Sequence, residues 1–223
     1  MILSVLEEDT ALPPCEAEHG LSLFVETQER ALLFDMGKTD LFARNAQRMG
    51  VDLARAAFAV LSHGHYDHGG GLEAFLLRNA QAKVYVSGLA FGEHRALRPS
   101  GEAAYIGLEP ALDGHPRLIK VSGEQRVGGD GLLFDAVQEG GPLPTSNSRL
   151  LARAKDGALR PDPFAHELNL LLWEAGRAVL VTGCAHRGIV NIVRRAQQLA
   201  GGSLRAVVGG FHLSDPASGQ SER

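Results

Sequence analysis

The sequence predicts a single α/β domain, and three observations carry that reading. Short apolar runs that look like buried strands alternate with segments whose apolar residues recur at helical spacing. No fixed-period repeat and no linker divides the 223 residues, an ordinary length for one α/β domain, so 1–223 is taken as one unit. With 44% hydrophobic and 22% charged residues, the composition is that of a globular chain with a sizeable core.

The elements follow in order. Residues 1–8 have no basic leader and a short apolar run, and read as a first strand rather than a signal peptide. Residues 21–27 and 31–36 read as two strands joined by Gln28-Glu29-Arg30, the second ending in the turn Asp35-Met36-Gly37. Residues 41–49 have helical character, with Leu41, Phe42, Asn45 and Met49 near one face. Residues 58–62 form a buried strand that runs into a histidine segment, then three glycines, then a helix over 72–78. Residues 83–87 are a short strand. From 88 to 116 the pattern weakens at Gly92, Pro99, Gly101, Pro110 and Gly114, and an irregular excursion is expected. Residues 118–121 and 132–137 read as strands around Gly128-Gly129-Asp130-Gly131. The stretch 140–163 is loop-rich again, and loops of that length are more often functional or mobile than idle. Residues 168–173 and 178–182 are strands across Glu174-Ala175-Gly176. A tight turn, Gly183-Cys184-Ala185-His186-Arg187-Gly188, leads to a helix over 189–199 and a last strand over 204–208.

Charge narrows the partners. A net charge of -4 leaves no basic footprint for a nucleic-acid backbone and no polybasic membrane patch. No apolar stretch approaches the roughly 18 residues a membrane span needs. Cys15 and Cys184 lie far apart and read as free thiols in a reducing compartment, which points to the cytoplasm. A small molecule is the expected partner, and a local basic pocket for an anionic one stays open. Oligomeric state is not legible.

The chemistry concentrates in His63-Gly64-His65-Tyr66-Asp67-His68, four ligand-type side chains within six residues. Imidazole and carboxylate suit zinc, or manganese, iron or cobalt. On extended backbone His63 and His65 project to one side and can pinch one ion. Asp67 and His68 fall after the bend and can face a second. The glycines that follow let the backbone turn beneath the site.

His-x-His-x-Asp-His after a hydrophobic strand resembles the signature of the metallo-β-lactamase superfamily. The resemblance implies an αββα sandwich, two packed mixed sheets flanked by helices, with a metal site along one edge. Asp35 in the Asp35-Met36-Gly37 turn also matches the superfamily pattern, as a residue behind the ligands that orients a histidine. Leu61 to Gly71, Thr182 to Asn191 and Gly209-Gly210-Phe211-His212-Leu213 resemble one branch, the dihydropterin-ribofuranosyl-aminobenzene phosphate synthase-like group linked to methanopterin biosynthesis. His186 then stands as a third ligand beside His63 and His65, and His212 as a further site residue after two glycines. Cys184 is a candidate ligand or a group just behind the ligands. His19, His94, His115 and His166 are expected at the surface, although His19-Gly20 could line the pocket. Members of the branch run on to a His-Cys-Thr-Gly-like motif that supplies another metal-site histidine. This sequence ends at Arg223 without one, which leaves the expected number of divalent ions at one or two.

The implied activity is metal-assisted hydrolysis, with Asp67 as the candidate catalytic carboxylate, or metal-clamped displacement of diphosphate from a pterin-like substrate. Lys38, Arg149 and Arg187 are candidate partners for a phosphorylated substrate, because their cations suit phosphate. Two rivals use the same residues: an iron-dependent oxygenase or redox protein, and a non-catalytic domain with a structural metal or none.

Overall fold

The computed structural model describes residues 1–138, 140–215 and 220–221. The strands in chain order are β1 (Ile2–Glu7), β2 (Ser22–Glu26), β3 (Ala31–Phe34), β4 (Ala56–Val60), β5 (Lys83–Ser87), β6 (His94–Leu97), β7 (Ala103–Tyr105), β8 (Leu118–Val121), β9 (Gln125–Val127), β10 (Gly131–Phe134), β11 (Leu150–Arg153), β12 (Leu159–Pro161), β13 (Asn169–Glu174), β14 (Arg177–Thr182) and β15 (Ala206–Gly209). The helices are α1 (Leu41–Met49), α2 (Tyr66–Gly69), α3 (Leu72–Arg78) and α4 (Ile189–Ala200).

Two mixed sheets face each other. One has the order β1-β2-β3-β4-β5-β8 and the other β15-β14-β13-β10-β9. Strand alternation decides which side chains lie between them, because successive residues point to opposite faces. Leu32, Phe34, Phe58 and Val60 of the first sheet meet Leu170, Leu172, Val179 and Val181 of the second. The alternate residues Leu33 and Ala59 face Phe42, Leu72 and Phe75 of α1 and α3. Leu171 and Leu180 likewise face Ile192 and Ala196 of α4. Apolar residues on both faces of one strand are what a sheet covered on both sides requires. The result is the αββα sandwich. Phe34 is fully buried between the sheets, and truncating such a ring to alanine costs about 3–5 kcal/mol.

Two expectations need correction. Across the glycine turn at 128–131, β10 pairs with β9, not with residues 118–121. Those residues form β8, parallel to β5 in the other sheet. The two stretches expected to be irregular, 88–116 and 140–163, build a third sheet with the order β12-β11-β6-β7. Its strands are three or four residues long. Their partners lie far away in sequence, such as Arg95 opposite Leu151, so no local periodicity announces them. At the C-terminal end, Ser214–Asp215 pairs with Gln220–Ser221, and the rest of the polar tail lies outside the described residues.

The C-terminal ends of β3, β4, β14 and β15 converge on one edge of the sandwich. A bond from the Leu168 N–H to the Ser62 carbonyl, 2.6 Å, ties the two sheets together there. Asp35, His63, Cys184, His186 and His212 all follow directly from those strand ends.

Candidate metal centre

β4 ends at Val60, the chain bends at His63 and Gly64 rather than running on extended, His65 is extended, and α2 begins at the next residue, Tyr66. His186 arrives from the turn after β14. One nitrogen from each of His63, His65 and His186 lies within 4.8 Å of the others. All three rings are buried. Two further groups meet the same limit: His63, His68 and Cys184, and Cys184, His186 and His212. The structure therefore brings His63, His65, His68, Cys184, His186 and His212 into one cluster.

Hydrogen bonds fix which nitrogen of each ring is available. The Ser62 hydroxyl donates to Asp35 Oδ2 at 2.7 Å and so accepts from His63 Nδ1 at 2.9 Å. That leaves His63 Nε2 as a lone pair, 3.1 Å from His65 Nδ1. His186 Nδ1 donates to Asn147 Oδ1 at 2.9 Å, while the Asn147 amide donates to the His186 carbonyl at 2.7 Å. His186 Nε2 is buried with no hydrogen-bond partner among the described residues. Glu167 holds the turn from behind by accepting the backbone N–H groups of His186 at 2.7 Å and Arg187 at 3.1 Å.

Electrostatics favours neutral rings. Burial, then the neighbouring imidazoles, hold His63, His65 and His186 well below the usual histidine range. A neutral imidazole is the form that binds a metal. His68 differs. Burial opposes its proton, but the charges of Cys184 and Asp35 outweigh that and hold the ring well above the usual range. Its Nδ1 donates to Asp35 Oδ2 at 2.6 Å, and its Nε2 faces Cys184 Sγ at 3.1 Å. A cation binding both Nε2 and Sγ would take the place of the proton between them.

Asp67 stands beside this cluster rather than inside it. Its Oδ2 lies 3.8 Å from His68 Nε2 and 3.5 Å from His19 Nε2. Together with Cys184 and His212 these residues line a cleft of about 350 Å³. Gly209 lets β15 end against this cleft, since a Cβ there would lie 1.8 Å from the Thr182 carbonyl oxygen. The candidate anion partners are spread out. Lys38 is exposed, with Nζ 5.9 Å from the centre of the Tyr66 ring. Arg149 ends the short 3-10 segment Thr145–Arg149. Arg187 does not reach the cleft: its guanidinium donates to the Val137 carbonyl at 2.9 Å and lines a separate cavity with Gln138 and Arg195.

His94 and His166 correct the surface expectation, being only 3% and 2% exposed. They meet Asp162 directly behind His65. Nothing local marked His94, whose position depends on the third sheet. Asn147 and Glu167 were missed for the same reason, since each acts through backbone more than ten residues away.

The donor set fits a divalent ion: three neutral imidazoles, two of them with an orphaned buried nitrogen, beside a carboxylate and a thiol. Comparison with known proteins agrees with this chemistry. Residues 16–185 match the family model of the metallo-β-lactamase superfamily. An uncharacterized protein of Methanocaldococcus jannaschii is 28% identical over 217 residues, 95% of this chain and 79% of that one. The same organism's 7,8-dihydropterin-6-methyl-4-(β-D-ribofuranosyl)-aminobenzene-5'-phosphate synthase is 25% identical over 221 residues, 91% of this chain and 73% of the enzyme. The crystal structure of Tm1679, described as a metal-dependent hydrolase of the β-lactamase superfamily, superposes with a TM-score of 0.79 at 30% identity, covering 96% of this chain and 77% of that one. The chain belongs to the metallo-β-lactamase superfamily.

Proposed function

We propose that this chain is a metal-dependent hydrolase acting on a small anionic, phosphorylated substrate. The observation that carries the reading is the convergence of His63, His65 and His186, with Nε2 of His186 buried and unpartnered among the described residues. His63, His65 and His186 would hold a first divalent ion, zinc by preference, or manganese or iron. His68 and Cys184, with Asp67 beside them and His212 at the rim, would hold a second. A divalent ion so held supplies a Lewis acid that polarises a phosphoryl or ester oxygen and acidifies water.

The chain's own groups do the rest. The cleft of about 350 Å³ falls within the range of small-molecule sites. Asp67 presents Oδ2 to that space and is placed to accept a proton from the attacking water. His19 Nε2, 3.5 Å from that oxygen and on an exposed side chain, can carry the proton to solvent. Asp35 and Ser62 keep His63 and His68 in the tautomers that face the cations.

A second reading is favoured by the relative named as a dihydropterin-linked phosphate synthase. In that reading the residues that would hold the ions would face a diphosphate leaving group, displaced from a pterin-type carbon by a carbon nucleophile, and bound metal would supply the charge that stabilises it.

Elemental analysis of protein purified without added metal tests the common premise. The expected result is one or two divalent ions per chain. A panel of phosphodiester, carboxylate ester and thioester substrates, beside a dihydropterin diphosphate, then separates hydrolysis from displacement. His65→Ala should abolish turnover in either case. A well-folded protein that takes up no divalent ion would refute both readings.

A further inference from the structure

Around His65 the third sheet assembles a polar cluster whose other members lie outside the proposed ligand set. A donor atom from each of His65, His94, Asp162 and His166 lies within 4.8 Å of the other three, and all four residues are buried.

Proton bookkeeping shows what this cluster can do. The Gly64 N–H donates to His166 Nδ1 at 2.9 Å, so the proton of a neutral His166 ring sits on Nε2, 3.2 Å from Asp162 Oδ2. His166 therefore has no lone pair left for a cation. The same Oδ2 accepts from His94 Nδ1 at 2.9 Å, and Oδ1 accepts the Phe164 N–H at 2.7 Å. The Asp162 carboxylate thus holds three donors.

With Nδ1–H committed to Asp162, a neutral His94 ring keeps a lone pair on Nε2. That atom is buried without a partner among the described residues. His65 is its complement. A neutral His65 that offered its Nδ1 lone pair to a cation beside His63 would carry its proton on Nε2. That nitrogen too is buried and unpartnered among the described residues. The His65 and His94 rings meet edge to face, with centroids 5.6 Å apart. One orphan donor and one orphan acceptor thus belong to neighbouring rings, and a small ring rotation or one bridging water joins them.

Gly64 makes the approach sterically feasible. A Cβ at residue 64 would lie 2.2 Å from the Ala90 carbonyl oxygen and 2.9 Å from His94 Nε2. The glycine between the two histidines thus serves the cluster twice, through its missing side chain and through its N–H.

We propose that His94, Asp162 and His166 form a positioning relay that locks His65 in the tautomer presenting Nδ1 to the metal. The inference rests on the metal reading above and adds a role for side chains that touch neither ion nor substrate. Hydrogen-bonded partners behind a ligand raise its basicity and fix its ring, and losing one typically weakens metal binding 10- to 100-fold.

The test uses the full chain stripped of metal and titrated with Zn²⁺ against a chromophoric chelator. Co²⁺ titrations alongside read the ligand field. Wild type, His94→Leu, His94→Gln and Asp162→Asn are compared. Leucine and glutamine fill similar volumes, but only glutamine can accept from His65 and donate to Asp162. The expected result is a roughly 10- to 100-fold loss of Zn²⁺ affinity in His94→Leu and Asp162→Asn. The Co²⁺ bands should shift, the ion count at saturation should hold, and His94→Gln should recover most of the loss. Asp162→Asn is nearly isosteric and keeps the test open if His94→Leu does not fold. Equal affinity in His94→Leu and His94→Gln would reduce the cluster to packing. A whole ion lost from the saturated count would make it a metal site in its own right. Either result overturns the relay while leaving the metal reading standing. Wild type that binds no Zn²⁺ would remove the metal reading and the relay with it.

Discussion

Asp35 and His68 meet through a 2.6 Å hydrogen bond between Oδ2 and Nδ1, with neither side chain open to solvent. The same carboxylate accepts the Ser62 N–H and hydroxyl, both at 2.7 Å. One residue therefore orients a member of each proposed ion position, His63 through Ser62 and His68 directly. Asp35 has φ of 59°, in the left-handed region where asparagine is well tolerated. Asp35→Asn should consequently keep the backbone and lose only the charge and one acceptor. The expected outcome is a fold intact by circular dichroism with metal affinity lowered about 10- to 100-fold in a chelator competition. Unchanged affinity would mean that Asp35 is only a turn residue.

Glu167 does for His186 what Asp35 does for His68, but through the backbone. Its two oxygens accept consecutive N–H groups of the metal-facing turn. A glutamine there must aim its amide N–H₂ at one of those donors and leave a buried N–H unpaired. Glu167→Gln should cost about 1–3 kcal/mol. For a chain of this size that is roughly 2–4 °C of melting temperature per kcal/mol. Zinc affinity should fall as well, because His186 loses its anchor. A loss of stability with metal affinity untouched would confine Glu167 to the fold.

The sequence and the structure agree most closely where interactions are local. The helices at 41–49 and 72–78 and the strands at 83–87 and 118–121 match their apolar spacing, because side chains one turn or two residues apart reveal which face is buried. The proximity of His63, His65 and His68 was legible for the same reason, since they are neighbours on one bend. The rest of the site depends on long-range pairing. His94 sits in a four-residue strand whose register is set by β11, more than fifty residues later. Asp162 and Glu167 lie in a stretch whose prolines and polar residues gave no period. Histidines that are solitary in sequence look like surface residues until the third sheet folds them inward.

Gly64→Ala tests how tightly the metal-binding bend is packed. The added methyl would sit 2.2 Å from a backbone carbonyl oxygen, which cannot move without shifting the segment at Ala90. Overpacking of this kind costs about 1–3 kcal/mol. Gly202→Ala is the control, with nothing within 4 Å of its Cβ, and should stay within about 0.5 kcal/mol of wild type. Urea melts of metal-free protein read both. Equal stability of the two variants would show that the bend has slack.

Glu7 should make stability depend on pH in the direction opposite to most carboxylates. Its oxygens accept the Lys38 N–H at 2.9 Å and the Phe42 N–H at 3.0 Å, tying β1 to the turn before α1. Burial raises its pKa from 4.5 to about 7, although the Lys38 and Phe42 N–H groups pull it down. A carboxyl whose folded value lies above its unfolded value binds its proton more tightly in the folded state. Its contribution is complete below the unfolded value and is lost as pH rises through the folded one. From about pH 4.5 to 7 this group should therefore subtract on the order of 3 kcal/mol, less what solvent screening removes. The histidines held below their usual range act in the opposite direction, since the unfolded chain protonates them first, so the wild-type profile alone mixes the two effects. Glu7→Gln resembles the neutral acid and removes only the first. Its urea midpoint should gain on wild type as pH rises from 5 to 8, and parallel profiles would show that Glu7 is ionised throughout that range.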